Sequence, residues 1–277
     1  MLLCGLIGAG IQGSRSPALH EAEAVAQGLQ LTYKLVDLDV LGVGAEALPA
    51  LLGDAQSKGY LGVNITFPCK QAVIPLLDGL SADARALGAV NTVLFRDGGR
   101  TGHNTDWSGF AESFRRGLPQ AKRDRVVLLG AGGAGAAVAH AAMRLGVQRL
   151  SIFDIDEARA ADLAAKIGQK AKAGGNLDAA MADADGLIHC TPTGMEKHPG
   201  MPLAAELLQG RHWVADVVYV PLETELLRIA RAKGCQTLDG GGMAVFQAAG
   251  AFQLFTGVAP DAERMRRHFL SMQQIGL

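Results

Sequence analysis

The stretch Gly130-Ala131-Gly132-Gly133-Ala134-Gly135 constrains this 277-residue chain more than any other. It follows the apolar run Val126-Val127-Leu128-Leu129 without a spacer and passes directly into Ala136-Ala137-Val138-Ala139. Alone, a G-x-G-x-x-G pattern is weak. Between a strand and a helix of small residues, the glycines gain distinct physical roles. They allow a tight turn, a backbone that a pyrophosphate can approach, and close packing of helix on strand. The anion then meets a helix N-terminus, where free N–H groups and the macrodipole favour negative charge. Asp154 closes the next apolar run, Leu150-Ser151-Ile152-Phe153, at about the ~20-residue spacing where a carboxylate accepts ribose hydroxyls. The reading is a dinucleotide site on a parallel α/β sheet. NAD is favoured over NADP, because a 2′-phosphate would place about −1.5 to −2 further charges against that carboxylate. Arg159, one turn into the next helix, keeps NADP open.

The pattern occurs a second time, at Gly8-Ala9-Gly10-Ile11-Gln12-Gly13, after the apolar run 2–8. Here Ser16-Pro17 reads as an N-cap and first helical residue, so the helix starts too late to cradle a phosphate. Asp37 does end the following strand, yet the motif reads as a decoy.

Around these anchors the chain alternates. Strands are expected at 2–8, 31–37 and 60–66, with helices at 17–28, 43–58 and from about 70, and a hairpin at 92–96 and 100–104. The order restarts at Arg125: strands 125–129 and 149–153, helices 133–145 and 156–167, strands near 186–190 and 213–217. Helices are expected at 107–116, 242–255 and 261–273. The fold class is α/β: an N-terminal α/β domain with a mainly parallel sheet over 1–106, a Rossmann dinucleotide-binding domain over 107–240, and C-terminal helices over 241–277 packing back at the junction.

Composition narrows the function. A formal net charge of −1 gives no electrostatic case for nucleic acid or an anionic membrane. No run reaches the ~18–20 apolar residues of a membrane span, and the N-terminus lacks a signal peptide's basic region. Cys4, Cys69, Cys190 and Cys235 are widely spaced, which suits free thiols in a cytoplasmic protein. The seven histidines show no ligand spacing, so no metal is expected and they read as structural or exposed.

Ser14, Ser16, Asn64, Thr66, Lys70, Asn91 and Asn104-Thr105-Asp106 fall where strands end, the side on which open α/β sheets bind ligands. Each has a plain alternative as a cap or turn former; their shared placement favours one site.

With these residues in view, the chain resembles the shikimate dehydrogenases. The likeness lies in Gly8 to Pro17, Asn64-Ile65-Thr66-Phe67-Pro68-Cys69-Lys70, Gly88-Ala89-Val90-Asn91-Thr92, Gly102 to Gly109, the glycine loop, Thr191-Pro192-Thr193-Gly194-Met195, Asp216 to Pro221, and Gly242 to Gln247. Asp154 likens it most to the NAD-using quinate/shikimate dehydrogenases. The resemblance implies that Lys70 and Asp106 flank the hydroxyl to be oxidised, and that Ser14 and Ser16 hold a substrate carboxylate. Asn64, Thr66, Asn91, Tyr219 and Gln247 would surround a small polyhydroxylated ring. Gly130 to Gly135, Asp154, Thr191, Val218 and Gly240 would hold the cofactor, Val218 at the nicotinamide. Three departures stand out: Cys69 where histidine is common, Asp154-Ile155-Asp156 where NADP-dependent members have Asn-Arg-Thr, and Ser16 where quinate users often have threonine.

Lysine, with a pKa near ~10.4 in water, is a poor base at neutral pH. Burial would lower that value and a neighbouring carboxylate would raise it, so either residue of the pair could take the proton. Rival readings are an aminoshikimate-type dehydrogenase, a methylenetetrahydrofolate-type dehydrogenase, and a dinucleotide sensor without chemistry. A monomer or homodimer is expected.

Overall fold

The computed structural model describes residues 1–274. The chain divides into two compact units, Met1–Ser108 with the stretch from Val245 onward, and Gly109–Ala244.

The first unit carries β1 (Leu2–Gly8), α1 (Ser16–Ala26), β2 (Leu31–Asp37), α2 (Leu38–Leu41), α3 (Leu48–Ser57), β3 (Gly62–Ile65), α4 (Cys69–Ala72), β4 (Gly79–Leu80), α5 (Ala82–Leu87), β5 (Thr92–Arg96) and β6 (Gly99–His103). Its sheet runs β2-β1-β3-β5-β6-β4. β1 is parallel to β2 and β3, and the β5–β6 hairpin joins antiparallel to β3. β1 is buried on both faces, as its unbroken apolar run requires. Ile7 packs with Leu48, Leu52 and Val63 on one side. Cys4 and Leu6 pack with Tyr33, Phe252 and Phe255 on the other.

The helix α6 (Asp106–Gly117) leads into the second unit. There follow β7 (Arg125–Leu129), α7 (Gly133–Arg144), β8 (Arg149–Phe153), α8 (Glu157–Ile167), β9 (Ala171–Ala173), α9 (Leu177–Asp183), β10 (Gly186–His189), β11 (Trp213–Asp216), α10 (Glu225–Ala232) and β12 (Gln236–Leu238). All pairings are parallel, in the order β12-β11-β10-β7-β8-β9. That is the doubly wound arrangement, whose order reverses between β7 and β10, and ligands of such sheets bind at that switch point. The chain ends in α11 (Gly241–Thr256) and α12 (Ala262–Gln274). Among the described residues no helix is long and apolar enough to cross a membrane, and no His/Cys/Asp/Glu group is arranged to hold a metal.

Several local expectations shift. Ser16 is not the cap of α1. Arg15 occupies that position without a side-chain cap, and the Ser16 N–H instead donates to Ser14 Oγ at 3.3 Å. The helix expected over 43–58 is shorter, entering through Pro49 at its first turn. The α8 helix is capped by Asp156, whose carboxylate accepts from the Ala158 and Arg159 N–H groups. β9 escapes a pattern search because it is a three-residue edge strand, Ala-Lys-Ala, with no apolar signal.

One ion pair clamps α12 to α1. The Glu23 side chain is fully buried, and Arg264 donates to both its oxygens at 2.8 and 2.7 Å. Burial opposes ionisation of Glu23. Hydrogen bonds from Arg264, the Asp261 N–H and Gln27 outweigh it and hold the carboxyl below its usual value. Its stabilising effect is therefore present above the unfolded-state pKa and lost as pH falls through the folded one. We expect Arg264→Gln to destabilise the protein by about 2 kcal/mol at pH 7. The gap between the two melting curves should narrow below about pH 4. A gap that stays constant between pH 7 and pH 3.5 would remove the pair from this role.

Candidate active site

Register explains why the polar residues of the first unit meet. Asn64 of β3 pairs with Thr92 at the start of antiparallel β5, and Thr92 pairs with His103 at the end of β6. Segments that leave β3, enter β5 and leave β6 therefore emerge at one end of the sheet. Lys70 stands on α4 just past β3, Asn91 just before β5, and Asp106 is the first residue of α6.

At that end Lys70 Nζ lies 2.6 Å from Asp106 Oδ2, with side-chain exposures of 21% and 10%. The second oxygen, Oδ1, accepts from Asn91 Nδ2 at 2.9 Å. The same Asn91 amide donates to Thr105 Oγ1, while its own oxygen accepts from the Thr105 N–H and from the Thr92 hydroxyl. Every donor and acceptor of that amide is thus engaged, and the carboxylate it faces is oriented from behind. Asn104 Oδ1 accepts from the Asp106 N–H at 3.0 Å, fixing the turn into the helix. The carboxylate consequently sits at a helix N-terminus, which favours negative charge.

Asn64 lies one layer behind. Its Nδ2 donates to the Asn91 carbonyl and to Thr92 Oγ1, and its Oδ1 accepts from the Tyr33 hydroxyl at 2.7 Å. What remains for a ligand is the second lone pair of Oδ1, so Asn64 can only accept from a ring hydroxyl. Sequence reading missed Tyr33. Burial holds its phenol well above the ordinary value and hence protonated, opposed by a hydrogen bond with Ser16. Its ring stacks on His20 at 4.7 Å, a buried imidazole pushed down to about 3 by desolvation.

Ser14 and Ser16 are half-buried at the entry to α1, and Thr66 is half-buried just past β3. The Thr66 methyl occupies the space a Cβ on Gly8 would need. Gln247 lies on α11 one turn before Gly250, the point where that helix meets the Thr105 side chain. Cys69 is buried in the core, and all four cysteines are free thiols.

In the second unit, the three fingerprint glycines divide the expected roles between them. Gly130 has φ +100°, and a Cβ there would come within 2.7 Å of the Cys190 carbonyl oxygen. Gly132, at the N-cap position of α7, has nothing within 4 Å of where a Cβ would stand, so the backbone is open to an approaching anion. A Cβ on Gly135 would collide with the Gly130 carbonyl, so helix and strand touch there backbone to backbone. Ala131, Gly133 and Ala134 complete the turn. These residues suit a dinucleotide: an open cradle, a helix N-terminus, and a carboxylate at the end of the next strand. That carboxylate, Asp154, accepts from the Ala131 N–H at 2.6 Å and the Asp156 N–H at 2.9 Å, keeping lone pairs on both oxygens. Arg159 pairs with Asp156 at 3.1 Å.

The first glycine motif is differently filled. The Asp37 carboxylate accepts from the Gly10 and Ile11 N–H groups, from Gln12 Nε2 and from the Asp39 N–H, at 2.9 to 3.1 Å. An internal anion already holds the donors a phosphate would use.

Thr191 follows β10, Val218 is buried just past β11, and the Gly240 backbone lies against the Val217 and Val218 carbonyls. Tyr219 is 39% exposed. His189 is one of the seven histidines read as structural or exposed, and it is buried. Its side chain is completely buried between Asp216 and Thr191.

Comparison with known proteins agrees with this geometry. The family model for the shikimate dehydrogenase substrate binding domain matches residues 6–93, that for the shikimate 5'-dehydrogenase C-terminal domain residues 240–268, and that for the ThiF family residues 104–184. A "Shikimate dehydrogenase (NADP(+))" of Streptomyces avermitilis is 59% identical over 270 residues, covering 95% of this chain and 93% of the relative. A "Quinate/shikimate dehydrogenase (NAD(+))" of Corynebacterium efficiens is 50% identical over 279 residues, covering 98% of each. The solved structure of quinate dehydrogenase from Corynebacterium glutamicum in complex with NAD superposes with a TM-score of 0.93 at 50% identity, covering 98% of this chain and 99% of that one. The chain belongs to the shikimate dehydrogenase family.

Proposed function

We propose that the chain catalyses reversible hydride transfer between NAD and a ring hydroxyl of shikimate or quinate, with Lys70 and Asp106 as the acid–base pair. The observation that carries this reading is the 2.6 Å contact between Lys70 Nζ and Asp106 Oδ2, set in a partly buried network at the sheet end. The bound nicotinamide supplies the hydride acceptor, and the protein's own groups manage the proton and the ring.

An ammonium has three N–H directions, and Asp106 takes one. A second can point at the hydroxyl oxygen and stabilise negative charge as the proton leaves. The proton has a route through the pair, from the hydroxyl to Lys70 Nζ as Lys70 passes one to Asp106 Oδ2 at 2.6 Å. Asn91 keeps Asp106 from rotating away, which is the pre-organisation that acid–base chemistry needs. Asn64, with one free lone pair, accepts from a ring hydroxyl. The Ser14 hydroxyl, whose oxygen already accepts from the Ser16 N–H, is free to donate to the substrate carboxylate. Ser16, Thr66, Tyr219 and Gln247 complete the contacts the family resemblance implies. The free thiols suit a reducing cytoplasm.

NAD is proposed over NADP on the strength of Asp154. Relatives of both names match, so the assignment rests on that carboxylate and on Arg159 being turned to Asp156. A 2′-phosphate would meet a negative group with no arginine fork to receive it.

The deciding assay follows NADH and NADPH formation with shikimate and quinate separately. Turnover with shikimate or quinate and NAD is expected; none with either cofactor would sink the proposal. Lys70→Ala and Asp106→Ala should each lower kcat at least ~10²-fold, the scale for a positioned acid–base group. Near-normal turnover in either variant would remove that residue from the pair. Asp154→Asn should raise KM for NAD and lower that for NADP; unchanged values for both would refute the ribose contact.

A further inference from the structure

We infer that His189 is a positioning residue for the dinucleotide: through Asp216 and Thr191 it sets the two loops that follow β10 and β11, the first of them at the switch point of the second sheet. The inference rests on the proposed dinucleotide site and adds a residue that no direct contact would reveal.

The geometry begins with two adjacent parallel strands, β10 and β11, in which His189 stands directly opposite Asp216. His189 Nδ1 lies 2.9 Å from Asp216 Oδ1, and both side chains are fully buried. A carboxylate only accepts, so Nδ1 carries the hydrogen. In the neutral ring Nε2 is then the acceptor and the Thr191 hydroxyl the donor. Thr191 Oγ1 in turn accepts from the Thr193 N–H at 3.3 Å, which closes the turn after β10. On the other side, Asp216 Oδ1 also accepts from the Val218 N–H at 3.0 Å, and Oδ2 accepts from the Thr224 hydroxyl at 2.7 Å. No polar atom of the imidazole or the carboxylate lacks a partner.

Two neighbours show what this network supports. The Cys190 carbonyl presses against Gly130, the first residue of the glycine turn, and the Val217 and Val218 carbonyls press against Gly240. Thr191, Val218, Gly130 and Gly240 therefore all rest on peptide segments whose directions the His189–Asp216 pair determines. A buried polar pair is poor evidence of stabilisation, because well-packed apolar residues of similar volume often do as well. What such a network does supply, when every member is satisfied, is one defined arrangement. Here it fixes the turns that carry Thr191 and Val218, two of the residues that would hold the cofactor.

The test measures NADH affinity by fluorescence titration, which needs no turnover, beside the KM for shikimate and the melting temperature. In His189→Leu the dissociation constant for NADH should rise about 10-fold, the loss expected for a charge-assisted hydrogen bond, with the shikimate KM within about twofold. His189→Asn keeps a donor facing Asp216 and should return NADH affinity to within about threefold of wild type. A folded leucine variant that binds NADH normally, or an asparagine variant no better than leucine, would overturn the inference. So would a matching loss of both affinities, which marks a purely structural role. If the leucine variant does not fold, Asp216→Asn decides, since Asp216 is a partner of His189 outside the proposed cofactor contacts: weaker NADH binding at an unchanged melting temperature supports the inference, and normal binding overturns it. Wild-type protein that fails to bind NADH would overturn the dinucleotide reading as well. Wild-type protein that binds NADH without turning over shikimate or quinate would overturn the proposed activity alone.

Discussion

The carboxylate of Asp106 is the constraint on which the first unit's polar cluster depends. One oxygen faces an ammonium and the other a primary amide, and the backbone behind it is the first turn of a helix. Each partner arrives from a different segment, so the group is oriented only when strand register, the turn into α4 and the start of α6 are all correct. The Asn91 carbonyl adds to this by accepting from both the Ile65 N–H and Asn64 Nδ2. A shift of one residue in the β3–β5 register would turn Asn64 toward the opposite face and break both layers at once. Fold and site are specified by the same hydrogen bonds.

Much of this was legible in the sequence because the signals are local. A glycine turn between an apolar run and a run of alanines needs no tertiary information, and the alternation of strands and helices follows from periodicity. The meeting of Lys70 with Asp106 rested on their placement at element ends and on the family likeness; spacing alone does not join residues so far apart. What stayed hidden has physical causes. Tyr33 sits in a strand whose pattern reads as core, and only the sheet's stacking shows its hydroxyl reaching Asn64. His189 ends an apolar strand and has no sequence neighbour with which to form a motif; its partner lies on the adjacent strand. The α10 helix carried a usable signal, with Thr224 at the cap and Leu226, Leu227 and Ala230 on one face, and attention to capping would have found it. Ser16 read as a cap for good local reasons, but its side chain is drawn to Tyr33 instead.

The two units also show different ways of treating buried polarity. In the first, neutral amides and hydroxyls form a chain that ends on the partly exposed Lys70–Asp106 pair. In the second, a histidine and an aspartate are sealed completely and reach the neighbouring loops through the Thr191 and Thr224 hydroxyls and the Val218 N–H. Exposure separates groups that can do chemistry from groups that can only hold others in place.

The two glycine turns show how a shared motif acquires opposite meanings. Both follow a first strand, and in both an aspartate from the neighbouring strand reaches back to the loop. Asp37 takes two loop amides and a glutamine side chain; Asp154 takes a single loop amide. The former is a plug, a counter-charge supplied by the chain itself, which makes that turn self-contained and repellent to any incoming anion. The latter is a latch with capacity to spare. Counting how many loop donors the chain's own carboxylate has already claimed therefore separates a nucleotide cradle from its mimic more sharply than the glycine spacing does.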